Sequence, residues 1–193
     1  MTLMLLGLVI FLGAHAARIV AEPWRRRTIG RLGLPRWKAL HSLVSLAGLA
    51  LVVWGFAAAR AQPLALWQPP LWTRHLAALI MLPSLVLCVA AYVPGNRLKA
   101  RLHHPMLLGV ELWAAAHLLA NGRLHDAVLF GAFLLWALLD HRAALVRDRA
   151  AAIACAPGRW RPTALALAVG AAAWAALAFW GHRLLFGVAP LGV

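Results

Sequence analysis

TLMLLGLVIFLGAHAARIVA, residues 2–21, contains one histidine, His15, one arginine, Arg18, and no acid. As an α-helix at 1.5 Å per residue, such a run covers about 30 Å, the thickness of a bilayer's hydrocarbon core. Within lipid a lone segment must satisfy its backbone internally, so the stretch reads as a transmembrane helix. Ala14-His15-Ala16 has the small-x-small form of a signal-peptide cleavage site, but a signal carries basic residues before its apolar run. Here Arg18 and Arg25 to Arg27 follow it, so the expectation is an uncleaved first span.

The rest of the chain has the same character. Of 193 residues, 64% are hydrophobic and 12% charged, about half the charge density of a soluble domain. Six spans fit the apolar runs: 2–21, 38–59, 72–93, 105–120, 123–145 and 162–186. The expected fold is all-α, a polytopic membrane helix bundle of about six transmembrane helices. No Gly/Ser- or Pro-rich linker divides it into separate domains.

Net charge is +14, which in a soluble protein points to nucleic acid. The basic residues here gather between apolar runs without aromatic interleaving, so the reading is topology and anionic lipid headgroups, with no nucleic acid. Fifteen Lys and Arg fall in alternate connections, around 18–38, 97–101 and 142–161; four, Arg60, Arg74, Arg123 and Arg183, fall on the other side. The positive-inside rule then places both termini outside, N-out and C-out.

Local punctuation agrees with these limits. Pro105 suits a first helical position and Asn121-Gly122 a helix end. Pro83 should kink the third span, and Ser42, Ser45 and Gly48 form a small-residue ridge for close helix contact. Trp37, Trp67, Trp72, Trp160 and Trp180 read as interfacial anchors. Trp54, Trp113, Trp136 and Trp174 lie deeper, where an indole N–H needs a partner. Cys88, in a span, and Cys155, in a basic loop, are not expected to pair.

Polar residues inside the spans are the candidate site. His15 and His117 are the deep histidines; His41, His103, His104 and His141 should lie near the cytoplasmic face, and His75, His125 and His182 near the opposite one. From the span ends, His15 and His117 differ in depth by about 9 Å. That offset suits a wide, tilted ligand better than one small ion. There is no Cys/His cluster or H-E-x-x-H helix for zinc, whereas haem b needs only one or two axial imidazoles. C-x-x-C-H is absent, so haem would be held non-covalently. Arg18, one turn from His15, faces the rim where a haem propionate would meet a cation, or else snorkels to headgroups. Glu111 is expected to accept a hydrogen bond from His104, His41 or an indole, with a proton-relay role as its functional reading. Asp140 and Arg142 are expected in an interfacial charge network.

Gly13-Ala-His15-Ala-Ala-Arg18, Ser45-Leu-Ala-Gly48, Tyr92-Val-Pro94-Gly95-Asn96, His104-Pro105-Met106 and Trp113-Ala-Ala-Ala-His117-Leu-Leu-Ala-Asn121-Gly122 together resemble the NnrU family. The likeness covers residues 1–149 as an NnrU-like transmembrane domain; residues 150–193 add a basic loop and a C-terminal transmembrane helix. The resemblance implies a multi-pass protein of the bacterial inner membrane, linked to denitrification and nitric oxide metabolism. It also implies relationship to the plant 15-cis-ζ-carotene isomerase, a haem b protein.

By that resemblance His15 and His117 correspond to axial haem ligands, and His104 to the histidine of the HP motif. The isomerase's histidine pair at the end of helix five has only His141 near it here. The leading expectation is an accessory, redox or sensing component that binds haem b non-covalently through His15, His117 and Arg18. His104, Glu111, His41 and Asn121 are further polar candidates, and nitric oxide or electron-transfer proteins are the expected partners. The alternatives are a haem-dependent isomerase of a polyene or other lipid-soluble substrate, and a non-enzymatic assembly protein.

Overall fold

The structure, a computed structural model, describes residues 1–153 and 157–191. Cys155 therefore lies outside the described residues. The described chain is helical, without a β-strand, and five of its helices are long and apolar enough to cross a membrane. The protein is a multi-pass helical membrane protein. Large apolar side chains point outward along these helices: Val9, Leu43, Val53, Leu79 and Leu135 are all more than 60% exposed. A surface of that kind is stable against lipid, not water.

Two compact units organise the chain. The first, Met1–Leu66 with Arg123–Ala132, holds α1 (Thr2–Val20), α2 (Glu22–Leu32), α3 (Leu34–Arg60) and the start of α7 (Leu124–Ala150). Helices α1 and α3 pack with almost no side-chain spacer. A Cβ on Gly7 would sit 2.5 Å from the Val52 nitrogen, one on Gly48 2.8 Å from the Phe11 nitrogen, and one on Gly55 would collide with Met4. The close-contact ridge of α3 is thus Gly48, Val52, Gly55 and Ala59, all buried. Ser42, expected in this ridge, is exposed, because the glycine stripe runs from Gly48 toward the helix end and turns Ser42 away.

The basic connection after α1 is itself helical. Pro23 sits in the first turn of α2 and Arg25 and Arg26 both reach back to Glu22. Gly33, at φ +79°, makes the break before α3, a conformation that costs other residues a Cβ clash. The second apolar helix consequently begins at Leu34, four residues before the expected start.

The second unit, Trp67–Gly122 with Phe133–Val193, holds α4 (Leu71–Tyr92), α5 (Arg97–Leu102), α6 (Pro105–Ala120), the remainder of α7, α8 (Trp160–Ala176), a π-helical turn (Leu177–Gly181) and α9 (His182–Phe186). Helix α6 has the expected limits and, at 16 residues, is a shorter apolar helix than the other five. It packs on α4, where Gly109 meets Ser84 and Cys88 and the Ser84 hydroxyl donates to Gly109 O at 2.7 Å. Helix α4 continues through Pro83. Asn96, only 1% exposed, caps α5 by accepting from Lys99 N at 2.8 Å and donates to Ala90 O at 2.7 Å. That capping is the structural content of the Pro94-Gly95-Asn96 motif.

Tryptophan placement departs from the expectation in two cases. Trp37 is 8% exposed and packs edge-on against Trp24, with ring centroids 5.7 Å apart; the helical connection α2 covers it. Trp54 is 69% exposed, because the glycine ridge occupies the inner face of α3 and turns the indole outward. Trp174 does find its partner, donating to Ala78 O at 2.8 Å.

Candidate functional site

In the first unit, α1 holds His15 half-buried, and its Nδ1–H donates to Phe11 O at 2.7 Å. A carbonyl can only accept, so this bond fixes the tautomer and leaves the ring's lone pair on Nε2. Phe11 packs on the same ring at 4.4 Å, and His41 from α3 meets it edge-on at 5.0 Å. The Trp37 ring lies 6.2 Å beyond His41, and Ser45 Oγ lies 3.4 Å from His41 Nδ1. Arg18, one turn after His15, is exposed at the end of α1.

In the second unit α6 treats His117 in the same way. Its Nδ1–H donates to Trp113 O at 2.8 Å, so here too the lone pair is on Nε2. The Trp113 ring packs at 5.4 Å and is itself met edge-on by Phe133. Asn121 ends the helix: its side-chain amide donates to His117 O at 2.9 Å, as does its own backbone N–H at 3.0 Å. Gly122 O then accepts from Trp67 N at 3.1 Å, and a Cβ on Gly122 would collide with Trp67 O. The Trp113–Gly122 motif is thus one linked device: Trp113 orients His117, Asn121 closes the helix that carries it, and Gly122 admits the neighbouring strand of chain.

The His182 ring lies nearly parallel to that of His117, with centroids 6.4 Å apart. The π-helical turn just before it supplies the reason. A π-turn inserts an extra residue and rotates everything after it by about 100°. His182 is thereby re-aimed, and no apolar periodicity reports that shift.

The remaining polar candidates form a second cluster in this unit. Glu111 of α6 accepts from His141 Nδ1 of α7 at 2.9 Å; its partner is neither His104, His41 nor an indole. His104, at the N-cap of α6, meets Asp148 of α7 at 2.9 Å, and His103 lies 3.4 Å from the same carboxylate. Asp140 pairs with Arg147 at 3.3 Å, not with Arg142, because residues 140 and 147, two turns apart, share a face of α7 while 140 and 142 do not.

A further polar pair, which helical spacing gives no sign of, lies in the first unit. His125 and Asp126 open α7 in the first unit at 3% and 6% exposure, 3.6 Å apart, with Phe56 edge-on to the imidazole at 5.2 Å. Leu124 N donating to Leu64 O ties this helix start to the loop after α3, and that tie buries the pair.

Comparison with known proteins is consistent with the motif reading. The family model for NnrU proteins matches residues 3–190, through the C-terminal helix and beyond the motif-bearing stretch. No curated protein and no solved structure matches the chain.

Proposed function

The chain belongs to the NnrU family, and on that premise we propose that it is a haem b-binding protein of the bacterial inner membrane, with both termini outside, in which His15 and His117 would hold the iron. One observation carries the reading. Both histidines, on different helices, hold Nδ1–H on the carbonyl four residues earlier and so turn the lone pair to Nε2. That is the outer-shell bond by which metal-ligating imidazoles are fixed and made more basic.

The surrounding residues fit such a group. Phe11 and Trp113 each hold one imidazole plane, Asn121 fixes the end of α6, and Arg18 offers a cation for a propionate. His41 and His182 set a second imidazole beside each ligand. Haem held by these residues would supply one-electron redox chemistry and affinity for diatomic ligands. The role that follows is an accessory, redox or sensing component of nitric oxide metabolism, with an electron-transfer protein or nitric oxide itself as partner.

The test is the absorption spectrum of the detergent-purified protein, oxidised and reduced, from cells grown with ample haem. Wild type should show a Soret band with the sharp reduced bands of two-histidine haem, and His15→Ala and His117→Ala should each lose them. A wild-type protein without a Soret band sinks the proposal.

A further inference from the structure

Two His–carboxylate pairs join α6 to α7, and they are crossed. At one level the imidazole comes from α6 and the carboxylate from α7, His104 with Asp148 at 2.9 Å. At the other the roles are exchanged, Glu111 of α6 with His141 of α7 at 2.9 Å. The members are seven residues apart on both helices, so the two levels are separated by about 10 Å along the axis. Between them the His104 and His141 rings stand 6.3 Å apart, edge to face. A bridging water would carry a proton between rings at such a separation.

The outer end is built to meet solvent. The chain turns between α5 and α6 through a γ-turn centred on His103, at φ +60° and ψ −52°, with His104 N donating to Leu102 O at 2.6 Å. This turn is rare for a residue with a Cβ and costs about 1–3 kcal/mol. It brings two successive histidines to one carboxylate, Asp148. Side-chain exposure is 31% at His103 and 27% at His104, with 18% at Asp148 between them, and 15% at both His141 and Glu111, so the inner pair is the more buried.

We propose that His103, Asp148, His104 and His141 form a proton path from the α5–α6 turn to Glu111, inside α6. The His103 Nδ1–H breaks as an Asp148 carboxyl O–H forms, and the proton passes on to His104 as that O–H breaks and an imidazole N–H forms. His104 releases the proton on its other nitrogen through water to His141. The His141 Nδ1–H then breaks as the Glu111 O–H forms. Each imidazole gains one proton and loses one, ends as the other tautomer, and moves no electron. Alternating acids and imidazoles in membrane helices are the usual material of such relays.

The other groups nearby leave the path intact. Asp140 and Arg147 of α7 are paired with each other, Lys99 of α5 is bound to Ala91 O, Arg97 reaches Gly158 O, and α4 presents the Cys88 thiol to Gly109. Among the described residues no group of three or more His, Cys, Asp or Glu is placed to hold a metal ion. The alternation therefore reads as conduction, not ligation, and it does not depend on haem.

The experiment uses the full chain in phosphatidylcholine/phosphatidylglycerol vesicles, following the carboxyl infrared band after a rapid pH step, with Glu111→Gln assigning the band. In His104→Asn and, separately, Asp148→Asn, neither of which touches Glu111, protonation of Glu111 should slow by about tenfold or more. Its equilibrium titration should not move, and added imidazole should restore the rate in His104→Asn. Equal rates in wild type and both variants, or a slowing that imidazole leaves unchanged, overturns the proposal.

Discussion

The His141 imidazole donates its Nδ1 hydrogen to Glu111 Oε1 at 2.9 Å, across thirty residues of chain and from one apolar helix to another. Removing only the acceptor leaves a donor in an apolar setting, which costs about 1–3 kcal/mol. Glu111→Leu should therefore destabilise the protein by that amount in detergent unfolding. The double variant Glu111→Leu with His141→Phe should recover part of the loss. Strict additivity of the two single effects would show that the pair carries no coupling.

Gly55 and Gly13 lie in apolar helices and differ only in what faces them. A Cβ on Gly55 collides with the Met4 backbone, whereas one on Gly13 meets nothing within 4 Å. Gly55→Ala should cost about 1–3 kcal/mol through forced separation of α1 and α3. Gly13→Ala should be neutral or stabilising by up to about 1 kcal/mol. Thermal unfolding of the two variants side by side decides it, and equal midpoints contradict the packing described.

Asn96 is buried and bonded at both ends of its amide. Asn96→Ala removes the cap of α5 and strands the Ala90 carbonyl, at a cost of about 1–2 kcal/mol. Hydrogen exchange at the Lys99 amide should rise in the variant before exchange rises in α4. Unchanged protection at Lys99 argues against the cap.

The hydrogen bond from Arg26 holds the Glu22 carboxyl below the usual carboxylate range, and the Arg25 and Arg26 charges add to it against partial burial. Because the folded value lies below the unfolded one, about 4.3, the contribution to α2 is complete above that value. It is lost as pH falls through the folded value. At an exposed helix end it amounts to about 0.3–0.5 kcal/mol and shrinks with salt. Protection of the α2 amides, taken as exchange relative to its intrinsic rate at each pH, should fall on acidification in wild type and stay level in Glu22→Gln.

The helices themselves were readable in one dimension. Span length and apolarity are local quantities, and Pro105 and Asn121 mark the ends of α6 where the chain places them. Where the reading fell short, the cause lay outside the segment. Helix α7 runs on to Ala150, past the apolar run that ends near Leu145, and Asp148 in that extension meets His103 and His104. The ridge on α3 keeps Gly48 but runs on to Val52 and Gly55 in place of Ser42, because the backbone of α1 chooses which small residues it touches.

The candidate site divides along the same line. His15 and His117 stood out because an imidazole in hydrocarbon is costly wherever it packs, and their motif neighbours Arg18 and Asn121 lie within one turn. Each one's bond to the carbonyl four residues back is also local. Partners from other helices were illegible: His41 beside His15, His182 beside His117, and His141 on Glu111. Helical spacing says which residues share a face but not which face another helix will cover, and the π-turn before His182 rotates that face without changing composition. Hydrophobicity thus indicated the membrane and the helices, and together with the family's short motifs it singled out the candidate histidines. The packing of helix on helix decided which acid each imidazole serves, because hydrogen bonds a few ångströms long depend on rotations and register that apolar periodicity leaves open.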